Sequence, residues 1–355
     1  IWTIILILDE IVGYNGIDEN IKLGLKAKDA YLKLFQKHNF TLHSSAYTIY
    51  KKTHQSLPSL LNFNYQTNYY NLDDLVKKND LDKFTNRKLL KNKYFEKNNG
   101  KSISSNKNQA INYCDNYVKE CFRSETINNF NNYIPSFDFD ELDYFILKMK
   151  NENSILVNYI WRSVYALKYF DHYHFLTFNK VKFKNDLKNL AKYINQSNSD
   201  IFLFHFLFPH RPFVFDLNEN TKVCNFNKKN LSIKESSDQK IILNQHYKEV
   251  ICTTKYLDEF LKNILSSNKN LKIIILSDTG LVDSNIKDPN YLRDNHSVLF
   301  AVNFPRKDFN MQNTKKSSQE LFHYYVNDDS AKINDKLEPK VFWGSKNAYV
   351  KYDLN

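Results

Sequence analysis

Several residues able to do chemistry stand at the ends of apolar runs. Asp9 and Glu10 follow Ile4-Ile5-Leu6-Ile7-Leu8 directly, and Asp278 follows Leu271-Lys272-Ile273-Ile274-Ile275-Leu276-Ser277. Divalent metals that work on phosphate esters need hard oxygen ligands at fixed positions and an open place for substrate. Asp9, Glu10 and Asp278 are the candidate ligands. Thr53 opens the segment Thr53-His54-Gln55-Ser56-Leu57-Pro58. At a helix start its hydroxyl could be activated by a metal and by the positive end of the helix dipole, as a phosphoryl acceptor requires. His205 and His210 flank the exit of another apolar run, where a histidine can bind metal, hold a phosphate oxygen or protonate a leaving alkoxide. His296 opens a later strand. Singly, each has a simpler explanation, since acids after strands often cap helices or form turns, and a threonine at a helix start is usually an N-cap. Their occurrence together favours a site.

The elements that would position them alternate. Ile4 to Leu8, Asp200 to Leu207 and Leu271 to Leu276 read as buried parallel strands, because their apolar runs are continuous rather than alternating. Phe40 to Tyr50 and His296 to Val302 are further strand candidates. Apolar spacing predicts an amphipathic helix from Asp18 to His38, with Asp18 as cap, and others over Asp138 to Phe170, Lys184 to Ile194, Lys240 to Leu265 and Ser317 to Val326. Pro58 requires a first helical turn or a bend, which puts Thr53 near a helix N-terminus. Asn62 to Phe137 lacks sustained periodicity and reads as long irregular connections with short helices. Strands alternating with helices imply an α/β fold, an open and mostly parallel central sheet with helices on both faces, whose site lies at the carboxyl edge.

The bulk properties narrow the partners. A net charge of +11 concentrates anions, which admits phosphate-bearing substrates, anionic headgroups and nucleic acid alike. No basic helix, zinc-finger spacing or aromatic RNA-binding signature accompanies the charge, so nucleic acid is not expected. The four cysteines, Cys114, Cys121, Cys224 and Cys252, form no CxxC pair, which argues against a zinc ribbon; one disulfide, Cys114 with Cys121, is an open possibility. The chain begins inside its first strand without Met, so the expectation is a single catalytic domain, residues 1–355, truncated at its N-terminus.

In order along the chain, five segments resemble the alkaline-phosphatase/sulfatase superfamily, and within it the phosphoethanolamine transferases. They are Asp9-Glu10 after a strand, Thr53-x-x-Ser56-x-Pro58, the His205 to His210 segment, Ser277-Asp278-Thr279-Gly280, and His296 before a strand. The resemblance implies an alkaline-phosphatase-like fold with Thr53 as nucleophile and His210 as a catalytic partner. It also implies Asp9, Glu10 and Asp278 as metal ligands, and His205 and His296 as substrate-binding or second-metal residues. The implied cofactor is a divalent metal, zinc first, with manganese or calcium as alternatives. The implied reaction is two in-line displacements on a phosphate or related anionic ester, such as a lipid headgroup or surface glycan. Relatives of this kind work at the cell envelope, on the extracytoplasmic face of the membrane, which a missing N-terminal segment would reach.

Two departures qualify the resemblance. Thr279 stands where the family usually places a histidine or asparagine, which removes a strong metal ligand. The alternative is therefore a catalytically degraded member that binds an anionic glycan or lipid headgroup. Sulfatases proper convert a Cys or Ser in a Cys/Ser-x-Pro-x-Arg motif to formylglycine, and Thr53 with no matching Arg cannot follow that route.

Overall fold

The computed structural model describes residues 2–63, 76–81, 88–90, 92–107, 111–123, 183–210, 213, 215–218, 223–226, 239–267, 270–281, 296–304, 315–327, 340–343 and 348–351. Among the described residues, ten strands form one sheet. Its path runs Thr41–Leu42, Phe300–Val302, Leu271–Ser277, Trp2–Asp9, Ile201–Pro209, Ile103–Lys107, Ile111–Asn112, Lys88–Leu90, Val76–Leu81, and Glu120–Arg123 lies beside Ile103–Lys107. The centre is parallel: Trp2–Asp9 pairs with Leu271–Ser277 on one side and Ile201–Pro209 on the other, and Ile103–Lys107 continues the same sense. The expected parallel character thus holds in the middle, while the Phe300–Val302 and Thr41–Leu42 strands run antiparallel at one flank.

Strand alternation divides the core in two. Ile4, Leu6 and Leu8 with Phe202, Phe204, Phe206, Ile273 and Ile275 pack against the Lys22–Lys37, 183–196 and Gln239–Leu265 helices. Ile5, Ile7, Ile201, Leu203, Ile274 and Leu276 pack the other way, against the Thr53–Leu61, Lys93–Lys97 and Ser318–Val326 helices. The result is a sheet between two helical layers, the α/β arrangement expected.

Local boundaries differ from the periodicity in instructive ways. The first helix starts at Lys22, and Asp18 is not its cap; Asp18 Oδ1 instead accepts the Asn20 N–H at 2.9 Å and closes a turn ahead of it. Gly24 permits that turn, since a Cβ there would lie 2.1 Å from the Asp18 carbonyl oxygen. Leu25 and Leu32 face solvent rather than the core, where Tyr31 and Phe35 are buried in their stead. Phe40 to Tyr50 is two short strands, Thr41–Leu42 and Ala46–Tyr47, and regular strand after His296 begins only at Phe300. The last helix begins at Ser318, because the Ser317 hydroxyl caps it by accepting from the Glu320 N–H.

The largest difference lies in 62–137. Its described part contributes five strands of the sheet, where irregular connections were expected, while the short Lys93–Lys97 helix is of the expected kind. Ile103–Lys107 escapes an apolar-run search because Ser104, Ser105 and Asn106 are all buried yet polar. Their burial is tolerated because each is hydrogen-bonded: Ser104 to Ser199 at 2.7 Å, Ser105 to the Leu203 carbonyl at 2.9 Å, and Asn106 to the His205 backbone. The helix predicted over Asp138 to Phe170 lies outside the described residues.

Candidate active site

Register assembles the site. Leu8 lies opposite Ser277 and Ile7 opposite both Leu276 and His205, so the next residues out, Asp9 and Asp278, emerge side by side. Alternation then fixes the face. Asp9 continues the set Ile5, Ile7; Asp278 continues Ile274, Leu276; His205 continues Ile201, Leu203; all three sets face the Thr53–Leu61 helix. One ligand-type atom from each of Asp9, His205 and Asp278 lies within 4.8 Å of the others, and all three side chains are buried.

The nucleophile candidate sits over this group. Lys52, not Thr53, occupies the N-cap position and gives no side-chain cap, so Thr53 is the first helical residue and its hydroxyl is not spent on capping. Thr53 Oγ1 donates toward Asp9 Oδ1 at 3.4 Å. Pro58 lies inside this nine-residue helix rather than in its first turn. One turn after Thr53, Ser56 Oγ donates to the Asp278 carbonyl oxygen at 2.6 Å and meets Thr48 Oγ1 at 2.9 Å. Gln319 Nε2 donates to both hydroxyl oxygens at 3.2 Å. This buried network ties the Thr53–Leu61 helix to the Asp278 loop and to the Ser318–Val326 helix.

Electrostatics give the group its character. Burial, then the Asp9 charge beside it, pushes the Asp278 carboxyl well above the usual carboxylate range, opposed by the nearby Thr53 hydroxyl and by the Thr279 and Glu10 N–H groups. Asp278 Oδ1 takes those two N–H groups at 2.8 and 3.3 Å, while the buried Oδ2 has no hydrogen-bond partner. His205 is pushed down to about 3 by burial and by His210, so it is neutral at pH 7. Two crowded carboxylates, one orphaned carboxylate oxygen and a neutral imidazole suit a divalent cation, whose charge would relieve the repulsion. The residues present fit a metal.

His205 is held from two sides. Asn106 brackets its backbone, accepting the His205 N–H at 2.9 Å and donating to its carbonyl at 3.0 Å, and the Tyr113 hydroxyl meets Nδ1 at 2.7 Å. His296 is oriented by Thr48: its Nδ1 donates to the Thr48 carbonyl at 2.8 Å, and its own carbonyl accepts the Thr48 N–H at 2.8 Å. Burial lowers the His296 pKa to about 4, with the Thr48 hydrogen bond opposing and Lys51 assisting. Gly13 lets the loop after Glu10 close on this segment, for a Cβ there would lie 2.4 Å from the Val298 carbonyl oxygen.

The remaining residues fall at the rim or in the shell. Glu10 adopts φ 57°, a left-handed conformation that costs a non-glycine residue about 1–2 kcal/mol. That turn aims its N–H at Asp278 and its carboxylate at His210, with Oε1 3.4 Å from Nε2. His210 is part-exposed. Thr279 is fully buried; its N–H serves Asp278, and its Oγ1 has no hydrogen-bond partner. Tyr113, Asn106, Thr48 and Gln319 were not singled out from the sequence. Asn106 and Tyr113 lie in a stretch without sustained apolar periodicity, and Thr48 and Gln319 lie in predicted elements whose period does not mark their polar residues, so only the pairing of distant segments reveals them.

Two disulfides form, one more than was considered from the sequence. Cys114–Cys121 forms as considered, and Cys224–Cys252 joins the Val223–Phe226 strand to the long Gln239–Leu265 helix. Among the described residues no helix is long and apolar enough to cross a membrane.

No family model and no curated protein matches the chain by sequence. Solved structures do match. The C-terminal periplasmic domain of EcEptC from Escherichia coli, in complex with Zn, superposes with a TM-score of 0.57 at 12% identity, covering 99% of this chain and 92% of that one. Another structure of the same domain gives 0.54 at 13% identity with the same coverage. The C-terminal periplasmic domain of phosphoethanolamine transferase EptC from Campylobacter jejuni gives 0.50 at 13% identity, covering 93% of this chain and 91% of that one. The chain therefore has the fold of these periplasmic domains, with the mostly parallel central sheet between helical layers that the sequence led us to expect.

Proposed function

We propose that this chain is a metal-dependent hydrolase or transferase acting on phosphate esters through Thr53. The observation that carries the proposal is the Thr53 hydroxyl, uncommitted to capping and 3.4 Å from Asp9 in a buried Asp9, His205 and Asp278 group. Asp9, Asp278 and His205 would hold the metal, and their mixed oxygen and nitrogen donors favour zinc over calcium. When bound, such a metal supplies Lewis acidity and lowers the pKa of the groups it touches. With the Tyr113 hydroxyl at Nδ1, Nε2 would be the nitrogen of His205 that faces the metal.

The chain's own residues divide the remaining work. As the Thr53 Oγ1–P bond forms and the ester P–O bond breaks, Asp9 Oδ1 is placed to take the hydroxyl proton. His210, steadied by Glu10, supplies the proton that the leaving oxygen needs. In the second displacement water or an acceptor alcohol attacks phosphorus as the Thr53 Oγ1–P bond breaks; His210, now deprotonated, takes the attacking oxygen's proton, and Asp9 returns its proton to Thr53 Oγ1. Neutral His296, fixed by Thr48, is the substrate-binding candidate on the far side.

We place the work outside the cytoplasm, at the cell envelope. Two disulfides suit an oxidising compartment, and the fold is that of periplasmic domains. The net charge of +11 suits an anionic ester borne on a lipid headgroup or surface glycan. Thr279 favours a second reading, binding of such an anion without turnover. Purified protein assayed for metal content and for aryl-phosphate turnover separates the two: bound metal with turnover that Thr53→Ala abolishes supports the enzyme, whereas neither metal nor turnover supports the binding protein.

A further inference from the structure

From the arrangement around His205 we infer that Tyr113 is a positioning residue that sets metal affinity through His205. The inference rests on the metal-site reading above. Tyr113 is buried and comes from the far half of the sheet, just after the Ile111–Asn112 strand. Its hydroxyl meets His205 Nδ1 at 2.7 Å, and its ring contacts the imidazole edge-on with centroids 5.8 Å apart. A metal on Nε2 requires a proton on Nδ1, so the partner at Nδ1 must then accept. Without metal the proton can sit on Nε2, and the partner must then donate. A tyrosine hydroxyl does both, so it satisfies the buried ring in either state, whereas a carboxylate or an ammonium group would satisfy one. The departure at Thr279 gives this ligand its weight, because His205 supplies the imidazole nitrogen that residue 279 does not.

Tyr113 is itself held in place. Its neighbour Cys114 is bonded to Cys121, and Cys121 lies opposite Ser105, whose hydroxyl donates to the Leu203 carbonyl two residues before His205. The disulfide thus fastens the tyrosine to the strand system that carries its imidazole partner. Nothing in the hydrophobic packing alone needs the hydroxyl, since a phenylalanine would fill the same space.

The test is Zn²⁺ affinity by chelator competition on the wild type, Asp278→Asn, Tyr113→Phe, His205→Ala and the Tyr113→Phe/His205→Ala double variant. Metal-free thermal melting serves as the folding control. Tyr113→Phe should weaken Zn²⁺ binding about 10- to 100-fold, the usual effect of removing an outer partner of a metal-bound histidine. In the His205→Ala background the same change should alter affinity by less than about twofold. The visible spectrum of Co²⁺-loaded protein should shift between wild type and Tyr113→Phe. Wild-type affinity in Tyr113→Phe, or an equal loss in both backgrounds, overturns the inference while leaving the metal site standing. If the wild type binds no Zn²⁺, the metal-site reading fails and the inference falls with it.

Discussion

The two faces of the central sheet are made by the same three strands and end differently. Toward the Lys22–Lys37 and Gln239–Leu265 helices the strands stay apolar to their ends, with Leu8 and Phe206 buried. Ser277, the exception, spends its hydroxyl on local backbone, donating to the Leu8 carbonyl at 2.9 Å and accepting the Ile11 N–H at 3.1 Å. Toward the Thr53–Leu61 helix the same three strands bring up Asp9, the last residue of its strand, Asp278, the first residue beyond its strand, and His205, inside its strand and opposite Ile7. One face is built to hold the sheet together, and the other interrupts the same pattern to gather charge. Burying two carboxylates side by side works against folding. A bound cation is the natural compensation, and stability and function should separate by face.

That separation can be attacked directly, beginning with the largest effect. Thr53→Ala should lower turnover by at least about 10⁴-fold, as removal of a nucleophile does, with little change in unfolding free energy. Loss of stability without loss of turnover would reverse the roles of the two faces. On the apolar face, Ile275→Ala should cost about 2–5 kcal/mol in chemical denaturation, because Ile275 is fully buried. Zn²⁺ affinity of the folded fraction should stay at the wild-type value.

A third prediction concerns pH. His296 titrates at about 4 in the folded chain against 6.5 unfolded, so the unfolded state binds more protons between these values. Its contribution is fully present above about pH 6.5 and is lost as pH falls toward 4, at most about 3 kcal/mol. The stability curve of His296→Gln should be correspondingly flatter over that window, and parallel curves would show that the residue is not buried neutral. The smallest effect is expected at Glu10→Gly. Relief of the left-handed backbone at φ 57° should raise unfolding free energy by about 1 kcal/mol while turnover falls through loss of the His210 contact. Unchanged turnover would leave Glu10 as a turn former only.

The sequence made one of these faces legible and left its support obscure. Asp9 and Asp278 could be found because each ends a continuous apolar run, and two parallel runs must converge at one edge. Thr53 could be found from its helix-start context, although its position after the N-cap required coordinates. His205 was visible as a residue near a strand exit, but only register shows that it stands on the face of Asp9 and Asp278. Thr48, Asn106, Tyr113 and Gln319 were illegible for a physical reason. A buried polar side chain is stable only through a partner, and that partner can lie far along the chain, as Gln319 does from Thr48 and Ser56. No local period encodes such a pairing.

The central claim is that Thr53 forms a covalent bond to phosphorus during turnover. Rapid acid quench of metal-loaded protein with an aryl phosphate, followed by peptide mass spectrometry, tests it most directly. One phosphoryl group is expected on the peptide carrying Thr53, and none in Thr53→Ala. Steady turnover with no label at Thr53, or equal label in Thr53→Ala, would contradict it.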